Sequence, residues 1–191
     1  MTIDIKARRC FRISETEEGV LSPPDQVFVN PNFVFLLTIG GNLVDGDDEY
    51  QRLMKLLKEL GETEFYILEN IGETSTERTI PFQATISVDS DDDYFQKVGK
   101  TFDPVYGYFP YSFFVFGNSD KWGIYLCEYP TINIIGCTAE IMEKFSIVYN
   151  VVENGFIELV DFIAKEYQYK MEPLEKLVNN YHLFKGIDAN A

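Results

Sequence analysis

Apolar residues recur along this chain with two periods, and the switches between them mark out its elements. IKARRCFRI, residues 5–13, alternates, with Ile5, Ala7, Arg9, Phe11 and Ile13 on one side and Lys6, Arg8, Cys10 and Arg12 on the other. That pattern predicts an edge or half-exposed strand. QVFVNPNFVFLLTIGG reads as strand material broken at Asn30-Pro31-Asn32, because proline cannot donate to a ladder. EFYILEN and TIPFQATISVDS read as two further strands. SFFVFG, KWGIYLCEY and INIIGC follow, separated by the turns Gly117–Asp120 and Tyr129–Thr131, and predict a three-stranded meander. In KWGIYLCEY both faces are largely apolar, Trp122, Ile124 and Leu126 on one and Tyr125 and Cys127 on the other, as in a strand covered on both sides.

The helical period appears first in DGDDEYQRLMKLLKELG. Leu53, Leu56, Leu57 and Leu60 form its apolar face, Asp47 or Asp48 suits its N-cap, and Gly61 stops it. A strand, this helix and EFYILE in succession fit a βαβ unit with parallel strands. DDDYFQKVGKTF predicts a short helix or turn. From Ile141 the apolar positions Phe145, Val148, Val152, Phe156, Leu159, Ile163 and Tyr167 keep one helical face, so one kinked helix or two in series both fit. MEPLEKLVNNYHLF gives a last helix beginning near Pro173. The fold class expected is α+β: a mixed, mainly antiparallel sheet of five to seven strands with packed helices and a helical C-terminal third. A single domain over 1–191 is expected, fraying at 1–4 and 186–191.

Charge changes this picture more than composition does. The 191 residues carry 16 basic and 31 acidic side chains, a net charge of −15. Such a field repels nucleic acid and anionic membranes and draws in a basic partner, although solubility alone also accounts for it. The first twelve residues run against the trend at net +3. No run approaches the roughly 20 apolar residues of a membrane span, and no signal-peptide pattern opens the chain. With Cys10, Cys127 and Cys137 an odd set, reduced thiols and a cytoplasmic location are expected.

Candidate chemistry is sparse. No zinc or calcium site is expected: no C-x-x-C pair occurs, and EF-hand loops starting at Asp45 or Asp89 lack the required Gly and Glu. The one histidine, His182, sits in the last predicted helix with no partner nucleophile, and neither G-x-S-x-G nor a phosphate-loop pattern occurs. No cofactor is implied. The aromatic loop is the best binding candidate, with Tyr106, Tyr108, Phe109 and Tyr111 between breakers, either exposed for recognition or folded over the core. Trp122 reads as core, or as the lining of a pocket; Glu128 stands at a strand end as a solvated or pocket carboxylate. These readings favour a non-catalytic protein-binding module, an acidic inhibitor or immunity-type protein that neutralises a basic partner. The alternatives are a small-ligand or carbohydrate-binding domain, with Glu128, Asn118 or Asp120 bonding hydroxyls, and a carboxylate-dependent hydrolase.

Overall fold

The computed structural model describes residues 2–13, 21–70, 81–90, 93–98, 112–150 and 155–182. Six strands make one sheet: β1 (Val34–Ile39), β2 (Glu64–Glu69), β3 (Gln83–Ser87), β4 (Phe113–Phe116), β5 (Trp122–Cys127) and β6 (Ile132–Cys137). Their order is β1-β6-β5-β4-β2-β3 and every neighbouring pair is antiparallel. The helices are α1 (Ile3–Ala7), α2 (Asp47–Glu59), α3 (Asp93–Val98), α4 (Ala139–Val148), α5 (Gly155–Glu166) and α6 (Met171–Asn180). This is the expected α+β class, and β4-β5-β6 is the expected meander.

Every residue of β4, β5 and β6 is buried, because both faces of the sheet are covered. One core joins Trp122, Ile124 and Leu126 to α2, α3 and α4. The other joins Tyr125 and Cys127 to α1, α5, α6 and the segment 27–33. Phe11 and Phe28 bridge each other across this second face, and their rings lie on the cross-strand pair Gly123–Gly136. A Cβ at either glycine would sit 2.6–2.7 Å from a ring carbon, so the bare backbone there makes room for the N-terminal segment.

Three expectations change, and one left open is decided. IKARRCFRI contains no strand: α1 ends at Ala7, and Phe11 makes only an isolated bridge. Lys6 and Arg9 turn instead to Glu64 and Asp120, at 3.6 Å each. Packing on a glycine pair and ion pairing to the sheet outweigh alternation, which is a weak signal over one short run. The expected parallel pairing of β1 with β2 does not form, since three strands stand between them. The cap of α2 is Gly46, with no side-chain cap bond; Asp47 and Asp48 occupy the first turn. The stripe from Phe145 to Tyr167 divides into two helices, α4 on one face of the sheet and α5 on the other.

A buried carboxylate that the sequence did not mark holds the central hairpin. Glu62 is 5% exposed and follows the end of α2. Its carboxylate accepts from Asn118 N (2.7 Å), Ser119 N (3.1 Å) and Trp122 Nε1 (3.0 Å). Gly117 permits this approach, because a Cβ there would meet Glu62 Oε1 at 2.3 Å. Removing the acceptor leaves three donors short of partners, each worth about 1–3 kcal/mol. Glu62→Ala is therefore expected to lower stability by about 3 kcal/mol or more, with Glu62→Gln intermediate. Urea unfolding followed by Trp122 emission measures both; a midpoint unchanged in Glu62→Ala would show that the carboxylate does not hold the turn.

Candidate functional site

The β5–β6 turn is pinned from several directions. Glu128 N donates to Ser112 Oγ (3.0 Å) and Thr131 Oγ1 to Glu128 O (3.1 Å). Tyr129 OH donates to the Glu166 carbonyl (2.5 Å), Thr131 N donates to Glu166 Oε2 at 3.2 Å, and the same oxygen shares the single Thr131 hydroxyl proton with Glu128 O. The turn is thereby fastened to the C-terminal end of α5. Opposite it, residues 24–27 are fastened to the end of α6. Asn180 Nδ2 donates to Pro24 O (2.7 Å), Gln26 Nε2 to Asn180 O (2.7 Å), and Tyr181 OH to Asp25 O (2.6 Å).

Between these fixed walls lies a cleft of about 420 Å³, within the usual range for ligand pockets. Pro23, Pro24 and Pro173 give it apolar sides, Ser22 a hydroxyl, and Glu128 and Lys170 opposite charges. The rings of Tyr129 and Tyr167 meet edge to face, with centroids 5.8 Å apart at 81°, and line the same cleft. Tyr129 is 53% exposed and Tyr167 only 5%. The Tyr167 hydroxyl is buried with no hydrogen-bond partner among the described residues, and burial raises its pKa above the ordinary phenol value. Lys170 follows two non-glycine residues in the left-handed region, Gln168 (φ 53°) and Tyr169 (φ 57°). Such backbone costs energy and concentrates where a site is held in shape.

A second concavity, of about 470 Å³, lies on the other face of the same sheet end. Asp45, Asp47, Asp48 and Glu49 line it with Arg52. The two loops meet where Gly40 N donates to Thr131 O (3.2 Å). Glu49 Oε2 accepts from Asp45 N (2.5 Å), the amide just before the Gly46 cap of α2. Burial, ahead of every other influence, raises the Glu49 carboxyl above the ordinary value.

The sequence-derived candidates are not brought together. Tyr106, Tyr108, Phe109 and Tyr111 lie outside the described residues. Trp122 is 1% exposed at the opposite end of β5, so it belongs to the core and lines neither concavity. Asn118 and Asp120 also lie at that opposite end, engaged by Lys6 (3.2 Å) and Arg9 (3.6 Å), away from Glu128. Glu128 alone reaches the cleft. Sequence reading missed Tyr129, Tyr167, Lys170 and the Ser22-Pro23-Pro24 wall; the one available signal was Tyr-Pro at a turn, and nothing in the sequence paired it with residues 40 positions away.

Catalytic groups are placed unfavourably among the described residues. His182 lies beyond α6, exposed and left-handed (φ 52°), rather than within a helix. Cys127 and Cys137 sit on adjacent strands but at opposite ends and on opposite faces. Burial pushes the thiols of Cys10 and Cys137 up to about 12. Among the described residues no group of three His, Cys, Asp or Glu side chains is arranged to hold a metal ion. The chain matches no family model, no curated protein and no solved structure.

Two outcomes follow from this geometry. Tyr167→Phe removes a buried oxygen without a bonding partner, so stability is expected to hold or rise by about 1 kcal/mol; a clear fall in melting temperature would mean that the oxygen is bonded. All three thiols are buried, so alkylation by iodoacetamide near pH 8 is expected to be slow in the native protein and rapid, reaching three per chain, in urea. Fast native labelling would place a thiol at the surface.

Proposed function

We propose that this chain is a non-catalytic binding module that captures a basic protein partner, in the manner of an inhibitor or immunity-type protein. The observation that carries the reading is the concentration of carboxylates at one end of the sheet. Asp45 is exposed just before α2 and Asp47 and Asp48 in its first turn, Glu128 on the neighbouring β5–β6 turn, and the whole chain carries −15. A field of this sign steers a cation-rich surface and raises its association rate. The basic N-terminal residues do not offset it at that end, because Lys6 and Arg9 are paired with Glu64 and Asp120 at the other. The buried thiols and the exposed His182 accord with a protein that works by binding. No helix among the described residues is long and apolar enough to cross a membrane.

The test is affinity capture at low salt, followed by kinetics with the purified partner. The association rate is expected to fall steeply as salt rises, since exposed charges are screened beyond about 8–10 Å near physiological ionic strength. Reversing Asp45, Asp47 and Asp48 to Lys together is expected to slow association about tenfold or more, with a modest fall in melting because Asp47 and Asp48 sit in the first turn of α2. Captured proteins without a basic surface, or a rate indifferent to salt and to the reversal, would overturn the reading.

Glu49 favours a second reading, a carboxylate-dependent hydrolase, since a raised carboxyl in an acidic depression suits a general acid. Its bond to Asp45 N also ties it to the segment that enters α2. Turnover of aryl glycosides that disappears in Glu49→Gln, in a protein that melts normally, would favour the hydrolase.

A further inference from the structure

We infer that Asn133 is the positioning residue of the acidic loop, and that it works through one buried water molecule shared with Thr38 and Asn42. The inference rests on the binding-module reading above and deepens it, because residues 40–46 carry Asp45 and lead into the first turn of α2, where Asp47 and Asp48 stand.

Asn133 is an amide in the otherwise apolar strand β6, and it is 3% exposed. Its cross-strand partner Leu126, and Ile135 two positions on, belong to the core that holds Trp122. An amide buried there costs free energy unless it is hydrogen-bonded. Its nitrogen is: Asn133 Nδ2 donates to Asn42 O at 2.6 Å, across 91 positions of sequence. That bond fixes which end of the amide is nitrogen and leaves Oδ1 as the end to be satisfied. Of the five buried polar residues, Glu62, Glu69, Asn70, Ser112 and Asn133, it alone has a buried side-chain polar atom without a partner among the described residues.

Two further orphan oxygens belong to the residues around it. Thr38 is its partner on β1, and Asn42 is the residue that its Nδ2 binds. Thr38 Oγ1 and Asn42 Oδ1 are both buried, and neither has a partner among the described residues. The inventory names what satisfies the three. Amide oxygens only accept, whereas the threonine hydroxyl has a proton to give. A water molecule donates two protons and accepts one, which makes the three bonds typical of a buried water. A cation would leave the Thr38 proton without an acceptor, and three neutral oxygens fall short of the six or so that a hard cation gathers.

This cluster holds a loop in one orientation. Gly40 N donates to Thr131 O (3.2 Å) and Asn133 Nδ2 to Asn42 O, so two bonds tie the loop to residues 131–133. Thr131 N is in turn bonded to Glu166 at the end of α5. Leu43 and Val44 bury their side chains in the core, but such burial is non-directional. Hydrogen bonds are directional and fix how the loop is turned. The Asp45 segment and the β5–β6 turn are thereby held in one relation, and a surface already in its binding shape loses little freedom when a partner docks.

The experiment uses the full chain and two readouts. Water ¹⁷O relaxation dispersion counts long-lived buried waters, and the count is expected to fall by one in Asn133→Leu and to stay unchanged in Thr38→Ser. Amide exchange is expected to quicken about tenfold or more at Gly40 and Asp45 in Asn133→Leu, with the amides of β4 and β5 unchanged. Thr38→Val keeps the side-chain shape and the bond to Asn42 O; it is expected to lose the same water and serves if Asn133→Leu does not fold. An unchanged water count, exchange that quickens equally throughout the sheet, or a melting temperature that depends on whether sodium or potassium is present at fixed ionic strength would each overturn the proposal. Asn133→Leu leaves the net charge as it is, so it is expected to raise the dissociation rate of a captured basic partner without slowing association. If the Asp45/Asp47/Asp48 reversal leaves association unchanged while the water and exchange results hold, the binding-module reading falls and the water site stands. If the reversal slows association while the water count and exchange do not move in Asn133→Leu, the opposite holds.

Discussion

A carboxylate buried beneath a hairpin turn is costly unless its lone pairs are occupied, and Glu62 occupies them with two turn amides and the Trp122 indole. That one group ties the end of α2 to the β4–β5 hairpin and orients the largest side chain of the core. The central meander takes its register from this hairpin, and β2 and β6 pair on either side of it. The glycine at position 117 belongs to the same arrangement, because only a residue without Cβ lets the carboxylate reach the turn. On the far face, the Gly123–Gly136 pair admits Phe11 and Phe28 and so brings the N-terminal segment onto the sheet.

The two sheet edges are managed differently. At β3, Ser87 N donates to Asp93 Oδ2 (2.8 Å) and Lys97 Nζ donates to Thr85 O (2.7 Å), so an i,i+4 ion pair on α3 occupies the strand's outward groups. At β1 the chain changes face between α4 and α5, both of which contact that strand. One apolar stripe thus feeds two cores. α5 is placed on the second face, where its last turn anchors the β5–β6 turn and forms one side of the cleft.

The two concavities gather at the sheet end where β1 leaves and β6 begins. Acidic side chains face outward there on two adjoining loops, while the cleft beside them mixes rings, prolines and a single lysine. The opposite end is polar but closed on itself: Lys6 lies 3.9 Å over the Tyr66 ring, bonds its hydroxyl and pairs with Glu64. A bond from Tyr66 and the charge of Lys6 hold the Glu64 carboxyl below its ordinary range against the pull of burial. One end of the molecule therefore spends its charges on internal pairing, and the other presents them to solvent.

Local pattern was enough for β4, β5, β6 and α2, because each is a run whose period matches its burial and whose ends carry turn residues. For Trp122 it left core and pocket wall both open, and burial decided for core; Glu128 it placed at a strand end. It was not enough for residues 5–13, where alternation was overridden by packing on glycines more than a hundred positions away. Nor did it show that β1 and β2 stand apart, or that the stripe from Phe145 to Tyr167 serves both faces of one sheet. Glu62 looked like any solvated glutamate, because what buries it is a turn 56 residues downstream. The cleft joins positions 22–24, 128–129, 167, 170 and 173, none of which stands out alone. Period and composition are properties of neighbouring residues, so the chain by itself determined its class, most of its elements and its charge. Which distant residues share a site depends on how six strands are ordered, and only the tertiary structure decided that.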